Sequence, residues 1–443
     1  MPDVHHYNRT LPLKKRCDVL VIGAGPAGVA AAVTAARCGA DVFVLESLGC
    51  AGGMGTAGLV PAFMRFGDGV HFLAGDFGRE ILARMNALSD KVNEWDGIYN
   101  IPAEALKRAY DNILGESGAD VRFFSSVVDV VCENNRIAYV VVSSRQGLYA
   151  VEAGMYIDTT GDANIAAWCG VPFDLGGEDG RTMGGSLCSL WSGIEWDRVG
   201  ENDARMLEKA FQDGVFTHPD RHLPGMFPVG FRQGGGNIGH LYFNGTDECS
   251  MTFAVIEGRK LLDEYKRYYK EYLTGFEDME LSGTASLLGV RESRRIRGDY
   301  QMTLDDYLRR ADFPDEIGRF SYPVDIHGAG STDEEYETYF ENYSNLRYNT
   351  GESYGIPYRI LLPQKMDNLL TAGRCVSTDR YVQSSLRVMP GCFITGQAAG
   401  AAAALSIQQQ IPPRKLEISC LRRKLQAMGG YLPEPTISSE VAV

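Results

Sequence analysis

The stretch Cys17-Asp-Val-Leu-Val-Ile-Gly23-Ala-Gly25-Pro-Ala-Gly28 constrains the fold more than any other part of this 443-residue chain. Its apolar run reads as a strand buried on both faces. Gly23-x-Gly25-x-x-Gly28 then opens an Ala-rich helix that ends near Cys38, with Gly39 as a left-handed cap. Asp41-Val-Phe-Val-Leu-Glu46 is a second strand, and its acid stands 18 residues after Gly28. Each residue has a physical task. Gly23 permits a tight turn, Gly25 lets backbone N–H groups approach a pyrophosphate, and Gly28 lets the helix pack on the strand. Glu46 would accept hydrogen bonds from ribose hydroxyls. A lone G-x-G-x-x-G is weak evidence; the strand before it, the helix after it and the acid in place make it a dinucleotide-binding βαβ start.

Pro102 to Ser117 reads as a helix. Four alternating runs follow, Val121 to Phe124, Val127 to Cys132, Ile137 to Val142 and Leu148 to Glu152, and predict a β-meander that feeds into a strand at Met155 to Asp158. Residues 178–355 change character: they hold most of the Tyr, irregular Gly/Pro loops and an amphipathic helix from about Phe253 to Tyr272. The parallel-sheet pattern returns at Asn368 to Gly373, and a helix from about Pro390 to Gln410 is stopped by Pro412-Pro413. The expected fold class is α/β: a Rossmann-like domain with a β-meander, split into 1–177 and 356–443, and an inserted α+β substrate domain at 178–355.

The charge balance of 43 basic against 57 acidic residues gives −14, a surface that repels phosphate backbones and argues against nucleic-acid partners. The Ala/Gly-rich stretches fit packed helices rather than membrane spans. Met1 to Arg16 has no signal-peptide core, so a cytoplasmic location is the default expectation. Ten Cys are scattered with no C-x-x-C and no zinc spacing, which predicts buried free thiols and no metal site.

Three further segments bear on the ligand. Gly52-Gly53-Met54-Gly55-Thr56-Ala57-Gly58 suits a long flat ligand lying along the chain, or equally a flexible surface loop. Ile157-Asp-Thr-Thr160-Gly161-Asp162 is a strand ending in a small-residue turn, and Leu369-Leu-Thr-Ala-Gly373-Arg374 is another. In this order the motifs resemble the glutathione-reductase-type FAD-binding fold. More closely they resemble the FAD-dependent oxidoreductase family whose relatives include fumarate reductase and succinate dehydrogenase flavoproteins. Gly289-Val-Arg-Glu-Ser-Arg-Arg-Ile296 with Gly298-Asp-Tyr300, and Ser385-Leu-Arg387-Val-Met-Pro390 leading into Gly396-Gln-Ala-Ala-Gly400, match that narrower group. The resemblance runs from about Cys17 to Ile411 and specifies FAD better than it specifies substrate.

The resemblance implies roles. Gly23, Gly25, Pro26, Ala27 and Gly28 would hold the pyrophosphate, and Glu46 with Ser47 the adenosine ribose. Gly53, Met54 and Thr56 would run beside the ribityl and flavin, Val127 would offer backbone groups to adenine, and Thr160 and Gly161 would close over the dinucleotide. Gly373 would sit by the ribityl-phosphate. The wider fold often carries an acid at the next position; here it is Arg374, which favours pyrophosphate pairing. Met389 and Gly391 belong to the helix start whose N–H groups would face the flavin edge that gains negative charge on reduction.

On the substrate side, Arg387 would add positive charge or bind a carboxylate. Arg291, Arg294 and Arg295 lie in a helix-like charged run whose plain reading is a solvated face; the resemblance moves Arg291 toward the active site. His327, in Asp325-Ile-His327, is a candidate acid/base, and Tyr358 a candidate phenol near the flavin; both compete with structural roles. Gly234-Gly-Gly236-Asn-Ile-Gly239 formally repeats the glycine motif, but its flanks predict a loop. Cys50 lacks a partner four or five residues on, which argues against a disulfide reductase. The expected activity is hydride transfer between a small organic substrate and flavin N5, with an electron donor or acceptor still to be named and homo-oligomerisation left open. The alternatives are a flavin monooxygenase and a non-catalytic FAD-holding protein.

Overall fold

The computed structural model describes residues 5, 8–89, 94–200, 204–218, 225–328 and 346–433. Strand β1 (Leu13–Ile22) is the centre of the main sheet, and its last four residues are fully buried because both neighbours and both faces are covered. Helix α1 (Pro26–Arg37) leads from it to the parallel strand β2 (Val42–Leu45), in register Val19↔Val42 to Ile22↔Leu45. The helix Ala103–Ser117 leads on to β3 (Asp120–Arg122), which is parallel to β2 at the sheet edge. The meander is therefore three strands, β4 (Ser126–Glu133), β5 (Arg136–Ser144) and β6 (Gly147–Asp158), and the expected first run at Val121 belongs to the parallel sheet instead. A helical crossover sets that placement, since it must return the chain parallel to the strand it left.

β6 is one strand of 12 residues, where Leu148 to Glu152 and Met155 to Asp158 read as two. Gly154 is not a turn: a Cβ there would come 2.4 Å from Ile407 Cδ1, so the glycine admits a close helix. The N-terminal half of β6 pairs with the meander, and its C-terminal half lies between β1 and the parallel strand Leu369–Thr371. The helix Met389–Gln409 crosses α1 at backbone contact. Cβ atoms on Gly396 and Gly400 would each fall 2.2 Å from the carbonyl oxygens of Ala27 and Ala31. This small-residue seam sets the long helix start beside the glycine turn. Among the described residues no single helix is long and apolar enough to cross a membrane, and the apolar face of Met389–Gln409 is spent inside the core.

A second core holds Leu187, Trp191, Ile194, Leu261, Tyr265 and Leu288. It packs the helix Glu248–Tyr272 against a four-stranded antiparallel sheet ordered Met226–Gly230, Gln233–Gly236, Ser189–Ser192, Glu280–Thr284. The glycine repeat at 234–236 is thus a central strand, not the expected loop. Cβ atoms on Gly234 and Gly235 would lie 2.5 Å from Ile194 Cδ1 and Pro61 Cβ, so packing accounts for these glycines. Arg294–Ile296 is a strand paired with Phe173–Leu175 rather than a helix, and Arg295 is buried on Glu292 rather than solvated. Met302, Tyr307, Phe313, Ile317, Phe320 and Val324 join the first core. The separate core is accordingly narrower than the expected 178–355.

Candidate active site

The C-terminal ends of β1, β2, β6 and Leu369–Thr371 open on one cavity of about 700 Å³. This is the crevice in which open parallel sheets receive ligands. The three glycines of the turn divide the work there. Gly23 has φ +95°, and a Cβ would press to 2.7 Å on the Thr159 carbonyl. The Thr159 hydroxyl donates to the carbonyls of Ile22 and Gly23 at 2.9 and 2.7 Å, which pins the turn. Gly28 is a packing position: its Cβ would sit 1.9 Å from the Gly23 oxygen, and it does not line the cavity. Gly25 differs from both. Its φ of −66° is open to any residue, and a Cβ would meet no protein atom within 4 Å. The space beside Gly25 is cavity, kept clear at a helix start that has no side-chain cap. Backbone N–H groups there are available to a phosphate.

Pro26, Ala27, Glu46, Ser47, Gly53 and Met54 line the same cavity. The Glu46 carboxylate accepts the N–H groups of Ala24 and Leu48 at 2.7 and 2.8 Å, which fixes its direction. Val127, Thr160, Gly161, Gly373 and Met389 complete the predicted lining. Besides Gly28, two cofactor positions lie behind it. Thr56 is buried and donates to the Ala51 carbonyl at 2.7 Å, bracing the glycine segment, and Gly391 packs on the Leu386 carbonyl. Arg374 reaches the cavity wall, but its guanidinium donates to the Gly161 carbonyl at 2.9 Å, to the Val290 carbonyl and to Asp162. With those bonds it braces the Thr160-Gly161 turn, a different task from the expected pyrophosphate pairing. The uncapped helix start, the clear space at Gly25 and the oriented carboxylate fit a dinucleotide such as FAD.

The other end of the cavity is polar. Arg291 is buried, and donates to the Gly184 carbonyl at 2.9 Å, Ser186 Oγ at 3.0 Å and Asn237 Oδ1 at 3.3 Å. Arg387 Nη2 binds the Asp325 carbonyl at 3.1 Å and its carboxylate at 3.0 Å. Nε of Arg387 is buried without a hydrogen-bond partner among the described residues. His327 Nε2 stands 3.4 Å from Asp325, and its Nδ1 is 2.9 Å from Nε2 of His240. A hydrogen on His327 Nε2 leaves Nδ1 to accept from His240.

Charge follows from this packing. Burial works to raise the Asp325 carboxyl, but the His327 imidazole, then Arg387 and Arg291, overcome it and hold it well below the usual carboxylate range. Burial, then the Arg291 cation, push His327 well below its ordinary 6.5 despite Asp325, so the imidazole is neutral at pH 7. The start of the helix Met389–Gln409 reaches the same wall through Val388, Met389 and Cys392.

Three of the four catalytic candidates, Arg291, His327 and Arg387, therefore share one wall. Tyr358 does not join them: it is buried away from the cavity, and its hydroxyl donates to the Pro413 carbonyl at 3.1 Å. The sequence reading missed His240 and the ligating part of Asp325. His240 carries no motif, and only the fold brings it to His327 across 87 positions. Asp325 stood in view two residues from His327, and that spacing on an extended segment was the available signal.

Residues 18–425 match the FAD dependent oxidoreductase family, and the chain belongs to that family. As a member of that family it is an FAD-dependent oxidoreductase, with FAD as cofactor. Among curated proteins it is similar to digeranylgeranylglycerophospholipid reductase 1 of Methanococcoides burtonii, 25% identical over 37% of this chain. That match spans 42% of the reductase's length. It is also similar to thiamine thiazole synthase of Aeropyrum pernix, 34% identical over 49% of this chain and 80% of that enzyme. A geranylgeranyl bacteriochlorophyll reductase-like structure from Thermoplasma acidophilum aligns over 94% of this chain and 92% of its own, with 13% identity and a TM-score of 0.45.

Proposed function

We propose that the protein transfers a hydride between FAD and a small organic substrate, at a C–H next to C–OH, C–N or another C–H, in either direction. One observation carries the reading: the Gly25 and Glu46 cradle and the wall of Arg291, Asp325, His327 and Arg387 face a single cavity. FAD supplies the two-electron chemistry when bound, and the chain supplies binding, orientation and charge. The helix start at Gly25 would hold the phosphate, and Glu46 would take the ribose hydroxyls. Arg291 and Arg387 face one carboxylate, Asp325, so the wall is net positive and favours a substrate carrying an anionic group. The neutral His327, with Nε2 toward Asp325 and Nδ1 on His240, serves as a positioning residue that holds the Asp325 carboxylate against Arg387. The start of the helix Met389–Gln409, which lines the cavity through Val388, Met389 and Cys392, would offer partial positive charge to a bound flavin.

Anaerobic mixing of the yellow holoprotein with a panel of hydroxy acids, amino acids, alcohols and unsaturated acids tests the proposal. Bleaching by one chemical class is the expected result. Oxygen incorporation driven by a reduced nicotinamide would replace it with monooxygenase chemistry, and indifference to the whole panel would favour a non-catalytic flavoprotein.

A further inference from the structure

Two cysteines that share no motif meet beside the short helix whose Asn164, Ile165 and Trp168 line the dinucleotide cavity. Cys132 lies near the end of β4, where the ladder with β5 shifts register, and Cys169 caps the short helix Asn164–Trp168. Their sulfurs are 3.0 Å apart, about 1 Å beyond the ~2.05 Å length of a disulfide bond. Both backbones are held: Cys132 pairs with Ile137, and the Cys169 N–H donates to the Ile165 carbonyl at 3.0 Å. Cys132 is exposed to solvent, while Cys169 is half-buried. Burial, and then the neighbouring Cys132 sulfur, push the Cys169 thiol up. The two thiols are thus unequal: one meets solutes, the other waits behind it.

We propose that Cys132 and Cys169 are a peroxide-reactive dithiol, and that their disulfide clamps two walls of the cavity together. The Cys132 sulfur attacks hydrogen peroxide; the O–O bond breaks, one water leaves, and Cys132 becomes a sulfenic acid. The Cys169 sulfur then attacks that sulfur, forming S–S and breaking S–O, with release of a second water. In sum, two thiols and one peroxide give one disulfide and two waters. The bond ties β4, which contributes Ser126 and Val127 to the cavity, to the helix that contributes Asn164, Ile165 and Trp168. The crosslinked walls release FAD more slowly than the free ones. The clamp rests on the FAD site, whereas the thiol chemistry does not, so the two parts fail separately.

The test uses the reduced holoprotein, treated with hydrogen peroxide and compared with an untreated sample by thiol titration, intact mass and peptide mapping. The ten thiols should fall to eight, with loss of two hydrogens and a crosslinked peptide joining Cys132 to Cys169. Cys169→Ser should instead accumulate a sulfenic acid at Cys132 that a cyclic 1,3-diketone traps, and Cys132→Ser should keep its remaining thiols. Ten thiols surviving in the treated wild type, or a crosslink between other cysteines, would overturn the pair. Equal FAD release rates from the oxidised and reduced proteins would overturn the clamp.

Discussion

Replacing Gly25 with valine separates the fold from the ligand site. The position has φ −66° and ψ −176°, extended backbone that valine adopts without strain. An added Cβ meets no protein atom within 4 Å, so no part of the core must move. The expected cost to folding is a weaker helix start, about 1 kcal/mol or less. The cost to binding is larger, because the side chain occupies the space at the uncapped N-terminus of α1. Displacing a phosphate from about two charge-assisted hydrogen bonds, each ~1.5–3 kcal/mol, removes about 3–6 kcal/mol. That is a loss of roughly 10²–10⁴ in FAD affinity. Gly28→Val is the contrasting variant: its Cβ would stand 1.9 Å from the Gly23 oxygen, so it should fail to fold. Circular dichroism and thermal melts report the fold, and calorimetric titration of apoprotein with FAD reports binding. Gly25→Val should melt like wild-type apoprotein and bind FAD weakly. Wild-type affinity in that variant would refute the assignment of the phosphate site.

Further perturbations address the polar wall. Arg387→Met removes one cation and leaves Asp325 less neutralised; FAD should stay bound, the flavin potential should fall, and reduction should slow by about two orders of magnitude. Redox titration and the reductive half-reaction check this, and an unchanged potential and rate would remove Arg387 from the site. His327 is held neutral in the fold but protonates in the unfolded chain near 6.5, so it costs stability progressively as pH falls below that value. His327→Gln should flatten the dependence of melting temperature on pH between about 6.5 and 5. An equally steep curve would show that other groups set the acid limb. Direct reduction by NADH or NADPH should be slow, since the second glycine motif is an interior strand; rapid saturable bleaching in stopped flow would contradict this.

The dinucleotide half of the site was legible because it is local. The strand, turn, helix and acid lie within 30 residues; Gly23 answers to Thr159, Gly28 to Gly23 itself, and Gly25 to the open cavity. The substrate half was legible only in pieces. Arg291 read as part of a charged helical run because its neighbours are Glu and Arg, yet the buried Glu292 takes both Arg295 and Arg380. That long-range pairing turned an apparent surface into an interior. Arg374 looked available to phosphate until the fold supplied Asp162 and two carbonyls as partners. Tyr358 carried no local cue to the direction of its hydroxyl. The glycine run at 234–236 misled in the other direction, since side-chain-free residues serve close strand packing as readily as loops.

In the proposed function one cavity joins FAD to a substrate that exchanges hydride with it. Once the anaerobic panel identifies a reactive class, the decisive measurement is the rate of flavin bleaching with protium or deuterium at the reacting carbon. A primary isotope effect on bleaching is expected in the wild type, with bleaching itself strongly slowed in Arg387→Met. Equal rates for both isotopes when bleaching is chemically limited would contradict hydride transfer from that carbon.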